Sequence, residues 1–198
     1  MTKKRIFVLA LLGSLALPQL STAQSTNVDT TANFTAGVTL GNEQNFDFGT
    51  VGFSGTPGVG DTVSLGTDGS QSFGGNFSGS STGTPGRVDV TAGNNGQVVE
   101  VFCDQSATLT DAGGASSIDA VNIKVAPENA TGTYAAAGQP CNGTAGAAAN
   151  SFTLNLGTLD TFIFGAQLDG STTTGTLGGT YSTLNPGGDD VQVDVFYQ

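Results

Sequence analysis

Nucleophilic catalysis of the Ser-His-Asp or Cys-His kind needs an imidazole, and this 198-residue chain contains no histidine. Paired carboxylates are the remaining route to acid-base work, and two pairs stand close in sequence: Asp189 with Asp190, and Glu100 with Asp104. Carboxylates on loops and strand faces are solvated, and nothing around these forms a shield that would raise a pKa. No enzymatic activity and no catalytic residue are expected. Oxygen ligands for calcium are the next chemistry to consider. Asp61 and Asp68 stand among glycines in "GVGDTVSLGTDGSQSFGG", and Asp189 and Asp190 are adjacent in "NPGGDD". Neither stretch has the spacing of an EF-hand or of the glycine-rich nonapeptide repeat, so ordinary Asp-Gly turns compete with calcium and no cofactor is assigned. Lys124, within "VNIKVA", reads either as a solvent-facing charge that discourages edge aggregation or as one partner of an isopeptide bond.

Cys103 and Cys141 are the only cysteines. Without histidine they lack the usual zinc ligand set, and an even pair in an exported chain is expected to be a disulfide. Closing a loop with a separation of 38 residues contributes about 4 kcal/mol in the chain-entropy model. Export is itself expected from the N-terminus. "MTKKRIFVLALLGSLALPQLSTAQS" has a basic start, an apolar run from Ile6 to Leu17 and small residues at Ser21 and Ala23, the pattern of a signal peptide over residues 1–23. The run is shorter than the about 20 residues that span a bilayer, and no second one follows, so no transmembrane segment is expected in the mature chain.

Charge narrows the partners. Beyond Arg5 the basic residues are Arg87 and Lys124, set against 16 acidic residues, a net −14. Phosphate binding needs basic patches, so nucleic acid is excluded, and anionic membrane surfaces are disfavoured. The expected course is export, periplasm in transit, then the cell surface or the medium.

The elements that must position any site are strands. "NVDTTANFTAGVTL", residues 27–40, puts Val28, Thr30, Ala32, Phe34, Ala36, Val38 and Leu40 on one side. Asp29, Thr31, Asn33, Thr35, Gly37 and Thr39 take the other, a strict strand alternation. Further strands are expected at "EQNFDFGTVGF", "DTVSL", "QSFGGNF", "RVDVTA", "QVVEVFC", "SATLTD", "IDAVNIKVA", "SFTLNLG", "TFIFGAQL" and "DVQVDVFYQ". Glycines and Pro140 break any long helix over residues 132–150, which reads as an Ala/Gly loop pinned by Cys141. About ten short strands separated by turns indicate an all-β sandwich or barrel. An outer-membrane barrel would need aromatic girdles, and the chain has no Trp and three Tyr.

At "NFDFGTV", with Phe46, Asp47, Phe48 and Gly49, a pattern emerges that continues in "FIFGAQLDG", in "GGTYS" with Tyr181, and in "VQVDVFY" with Tyr197. Together with the leader it resembles the bacterial domain-of-unknown-function 4402 family and is more distantly similar to spore coat protein U and archaic chaperone-usher pilins. Gly165-Ala166 stands where family members often have a Gly-Gly pair, and "NPGGDD" lengthens the segment before the last strand. The resemblance implies an immunoglobulin-like antiparallel β-sandwich with long Gly/Ser/Thr-rich loops, open to completion by a donated strand.

It also implies a structural subunit of a surface filament or coat. Such a subunit self-assembles into a homopolymer with the help of a periplasmic chaperone and an outer-membrane assembly protein. The expected organisation is a signal peptide over 1–23, a candidate donor strand over 24–40, and a sandwich over 41–198. Val28, Ala32, Phe34, Val38 and Leu40 would then plug a neighbour's groove, worth roughly 5 to 12 kcal/mol gross. In the competing expectation the same strand belongs to its own sandwich and the protein is a monomer that binds a ligand such as a glycan. A C-terminal strand beside the alternating N-terminal one is what an open or swapped sheet requires.

Overall fold

The computed structural model of the chain describes residues 37–80, 83–143, 150–153 and 160–198. It is all-β, with antiparallel sheets in a sandwich-like arrangement. Among the described residues no helix is long and apolar enough to cross a membrane.

The first strands are β1 (Thr39–Gln44), β2 (Val51–Phe53), β3 (Thr62–Leu65), β4 (Gln71–Gly74), β5 (Phe77–Gly79) and β6 (Gly86–Ala92). There follow β7 (Val98–Cys103), β8 (Ala107–Asp111) and β9 (Ser117–Pro127), then a 3₁₀ turn over Glu128–Ala130. The last are β10 (Gln139–Pro140), β11 (Asn150–Thr153), β12 (Thr161–Thr174), β13 (Tyr181–Ser182) and β14 (Val193–Tyr197). "QSFGGNF" is not one strand, because the chain turns between β4 and β5 at Gly75, where φ is +64°. A Cβ there would lie 1.9 Å from an Asp61 carboxylate oxygen. Only glycine fits both the backbone and the space.

The large sheet runs β1-β6-β12-β9-β8-β13. Its axis is β12, whose first half pairs with β6 and second half with β3 along one edge, while β9 follows it along the other. Buried on both faces, the first half of β12, Phe162–Ala166, reads as a continuous apolar run rather than an alternation. A Cβ on Gly165 would sit 2.7 Å from the Leu65 carbonyl oxygen, and Ala166 is fully buried. β9 carries a bulge at Asn122 (φ +52°), where the register against β12 slips. The slip changes the phase of alternation. Ile118 and Ala120 point into the core before it, and Ile123 and Val125 after it.

The small sheet runs β11-β7-β14. Val99, Val101 and Cys103 of β7 pack in one core with Phe162, Phe164 and Val125 of the large sheet. Each buried phenyl or isobutyl group contributes about 2 to 3 kcal/mol of hydrophobic stabilisation. Cys103 and Cys141 form the expected disulfide. Backbone bonds bracket it: Cys141 donates to the Ile123 carbonyl at 2.7 Å, and Gly143 donates to the Cys103 carbonyl at 2.9 Å. The bridge therefore ties the small sheet to the β9–β10 flank of the large one.

Of the alternating stretch over 27–40 only residues 37–40 are described, so its expected place beside the C-terminal strand lies outside the described residues. β14 pairs with β7, and β1 pairs with β6 through Thr39↔Ala92 and Leu40↔Val90. β1 straddles the expected boundary at residue 40. Val38 and Leu40 thereby pack on the core of their own chain, while Val28, Ala32 and Phe34, like the signal-peptide region, lie outside the described residues.

Candidate functional site: an open strand edge and its groove

The two layers differ in width. Six strands side by side span about 24 Å at about 4.8 Å per gap, and three span about 10 Å. Among the described residues the small sheet is therefore too narrow to cover the whole inner face of the large one. A groove of about 560 Å³ occupies this region. Its floor is built one residue per strand: Leu40, Val88, Phe164, Ala120 and Leu109 come from β1, β6, β12, β9 and β8 in turn. On one side stands the segment after β1, with Phe46 and Phe48, and on the other Val191 and Val193 lead into β14. A second cavity of about 360 Å³ continues past Phe46, Phe48, Leu109 and Tyr181 towards Phe53 and Leu177.

The residues of the family-like motif largely converge here. The Phe46 ring meets Phe164 edge to face at 6.4 Å, and Gly86 admits it, since a Cβ there would come within 2.9 Å of the ring. Asp47 exchanges backbone bonds with Thr84 and accepts the Gly49 amide on its carboxylate at 2.7 Å, which fixes the turn that presents both rings. Phe48 is buried beside the floor, its carbonyl held by the Gln71 side chain at 2.7 Å. Tyr181 lines both cavities and donates its hydroxyl to the Thr176 carbonyl. Tyr197 stands apart: its hydroxyl accepts the Asn94 amide and clamps the β6–β7 loop to β14.

The calcium candidates do not converge. The Asp61 carboxylate is buried and accepts from the Gly58 amide at 2.8 Å, the Asn76 amide at 2.7 Å and the Asn76 side chain at 3.0 Å. The Asn76 and Gly58 amides hold its pKa below the usual carboxylate range. Asp68 accepts from the Ser70 amide at 2.8 Å, and hydrogen bonding from Ser70 lowers its pKa in turn. Asp189 bridges through its backbone to Thr108, and Asp190 stands exposed on the groove rim. Among the described residues no group of three or more acidic or sulfur ligands is placed to hold a metal ion. Of the paired carboxylates, Glu100 lies across from Phe196, while Asp104 accepts the Gln192 amide. Lys124 donates to the Tyr134 carbonyl at 2.8 Å and lies 4.4 Å from the centre of that ring, in cation–π geometry. Burial raises the pKa of the Tyr134 hydroxyl.

One network on the groove wall has no motif to announce it. Arg87 pairs with Asp89 at 2.9 Å and Glu128 at 3.3 Å, and donates to Thr161 at 3.2 Å. Asp89 also accepts from Asn42 at 3.0 Å and Thr161 at 2.8 Å. Burial would raise the Asp89 pKa, but the donors Asn42, Thr161 and Arg87 outweigh it and leave the value lowered. Asp89 in return raises that of Arg87. The only sequence signal was that Arg87 is one of two basic residues beyond Arg5.

No family model matches the chain, and no curated protein matches it.

Proposed function

We propose that this chain is an exported structural subunit of a bacterial cell-surface filament or coat, assembled by β-strand complementation, with the groove beside β14 as the acceptor. One observation carries the reading: among the described residues β14 is an edge strand, and a groove with an apolar floor lies beside it. An open edge over an apolar groove invites an extended segment that completes the ladder and buries alternate side chains. The segment ahead of β1, with Val28, Ala32 and Phe34 on one side, has the required alternation. Val38 and Leu40 stay with their own chain, which shortens the donated part to residues 24–36.

Export by a signal peptide cleaved after Ala23 belongs to the same reading, and the disulfide supports it, because such bonds persist in oxidising compartments. So does the resemblance to the domain-of-unknown-function 4402 and pilin-like families, since the phenyl rings of the motif that carries it border the groove. A periplasmic chaperone would cover the edge in transit, and an outer-membrane assembly protein would exchange it for a neighbour.

The test compares mature protein, residues 24–198, with a form lacking 24–36. Ladders resistant to mild SDS, and filaments in negative-stain electron microscopy, are expected from the first and absent from the second. Persistence of both after the deletion would remove the donor-strand reading. A stable monomer in size-exclusion chromatography for the full mature chain would favour a ligand-binding sandwich instead.

A further inference from the structure

Antiparallel pairing fixes which way the peptide groups of β14 point. Asp104 donates its amide to the Gln192 carbonyl, and Gln198 donates to the Val98 carbonyl, so the even-numbered residues bond to β7. The N–H and C=O groups of Val193, Val195 and Tyr197 then point the other way, where among the described residues no strand meets them. The side chains alternate as well: these three pack against the core, and Asp194 and Phe196 face outward. Across from them on β7 stand Phe102 and Glu100, pairing Asp194 with Phe102 and Phe196 with Glu100. The outer side of this pair thus alternates two half-buried carboxylates with two phenyl rings, the rings edge to face at 6.1 Å, Phe102 buried and Phe196 49% exposed.

No described cation answers these carboxylates. Arg87 is held by Asp89 and Glu128, and Lys124 by Tyr134. Gln192 alone bonds to Asp194 and Asp104. On the groove side the rim adds Glu43 and Asp190, both exposed.

We propose that the β14 edge takes an extended, cationic segment of a different polypeptide in preference to the chain's own, a statement that rests on the strand-complementation reading. Its apolar side chains enter the groove, and its Lys or Arg side chains, projecting outward from the added strand, lie beside Asp194 and the Phe196 ring, with Glu100 one strand further in. Opposite charge on neighbouring strands and a cation over an exposed aromatic ring are both favourable there. The chain's own alternating segment is the poorer match. Its outward side carries Asp29, Thr31 and Asn33 and no cation, so donation between copies sets a carboxylate against an acidic face. Copies of this chain therefore compete for the edge best when salt screens it.

Two labelled peptides test this on the form lacking residues 24–36, whose edge no donated segment of another copy fills: residues 26–38 as they stand, and the same peptide with Asp29→Lys and Thr31→Lys. Both keep Val28, Ala32 and Phe34. Anisotropy titrations at about 20 mM and about 500 mM salt span Debye lengths from roughly 20 Å to roughly 4 Å. The lysine peptide is expected to bind about tenfold tighter at low salt, the size of two or three exposed charge pairs, and less than about twofold tighter at high salt. Asp194→Asn with Glu100→Gln in the protein should remove most of that advantage; Glu100→Gln alone gives a second reading, and an unchanged melting temperature shows that each variant is folded. Equal binding at low salt, or an advantage untouched by these variants, overturns the charge preference and leaves strand complementation standing. Binding of neither peptide overturns both.

Discussion

Replacing Cys103 and Cys141 together by alanine removes the covalent tie between the small sheet and the β9–β10 flank of the large one. The bridge spans a separation of 38 residues. In the chain-entropy model the freed loop gives the unfolded ensemble about 13 cal/mol/K, or about 4 kcal/mol at room temperature. Both side chains are buried, Cys103 1% and Cys141 2% exposed, so losing the sulfurs adds about 1 kcal/mol of cavity and transfer cost at each site. The total is about 5 to 6 kcal/mol. For a domain of this size a melting temperature falls by about 2 to 4 °C per kcal/mol, which predicts a drop of about 10 to 20 °C. Calorimetry of the oxidised protein and of the double alanine variant, without reductant, measures it directly. A drop below about 4 °C would refute the loop-entropy reasoning, because it would mean that the unfolded chain gains no freedom when the bridge is absent.

Further predictions concern the polar supports of the fold. Gly75→Ala should destabilise by more than about 2 kcal/mol in urea titrations, since its Cβ would collide with Asp61 at 1.9 Å in a left-handed backbone position. Arg87→Met should cost about 1 to 2 kcal/mol, a charged hydrogen-bond loss discounted for a side chain that is 34% exposed, again read by urea titration. Asp61, Asp68 and Asp89 all have folded pKa values below the ordinary range, so the folded state binds their protons less tightly than the unfolded one. Their stabilisation is present above the unfolded value of about pH 4 and is lost as pH falls through the folded values. Melting temperatures should thus show no loss from this cause above about pH 5 and a fall below about pH 4, with Asp89→Asn giving a shallower acid limb.

The strand content was written in apolar alternation and in turn residues: "DTVSL", "RVDVTA", "QVVEVFC", "SATLTD" and "IDAVNIKVA" occur within a residue of their places, whereas "EQNFDFGTVGF" is divided between the end of β1 and β2 by the turn at Asp47–Gly49. What alternation could not convey was a change of phase. In "IDAVNIKVA" the apolar positions are even up to Ala120 and odd from Val121, which makes sense only with the bulge at Asn122 that the pairing to β12 imposes. The groove was illegible for a different reason. Leu40, Val88, Leu109, Ala120 and Phe164 share a surface because sheet topology brings them together, and no local pattern encodes that order. Asp61 shows how one local pattern carries two readings. A glycine-flanked carboxylate has the look of a cation ligand, yet the donors that satisfy it are amides of the chain itself.

The scarcity of positive charge has one more consequence, for durability. Trypsin-like proteases cut after Lys and Arg, and beyond Arg5 the chain offers them only Arg87 and Lys124. Arg87 lies in β6, between β1 and β12, and Lys124 lies in β9, between β12 and β10. A protease needs an extended substrate drawn out of such pairing, so cleavage at either bond awaits the opening of the large sheet. Once open, the chain breaks into three pieces, of which the disulfide holds the latter two together until it is reduced. A folded copy outside the cell would thus present almost nothing for this class of enzyme to digest.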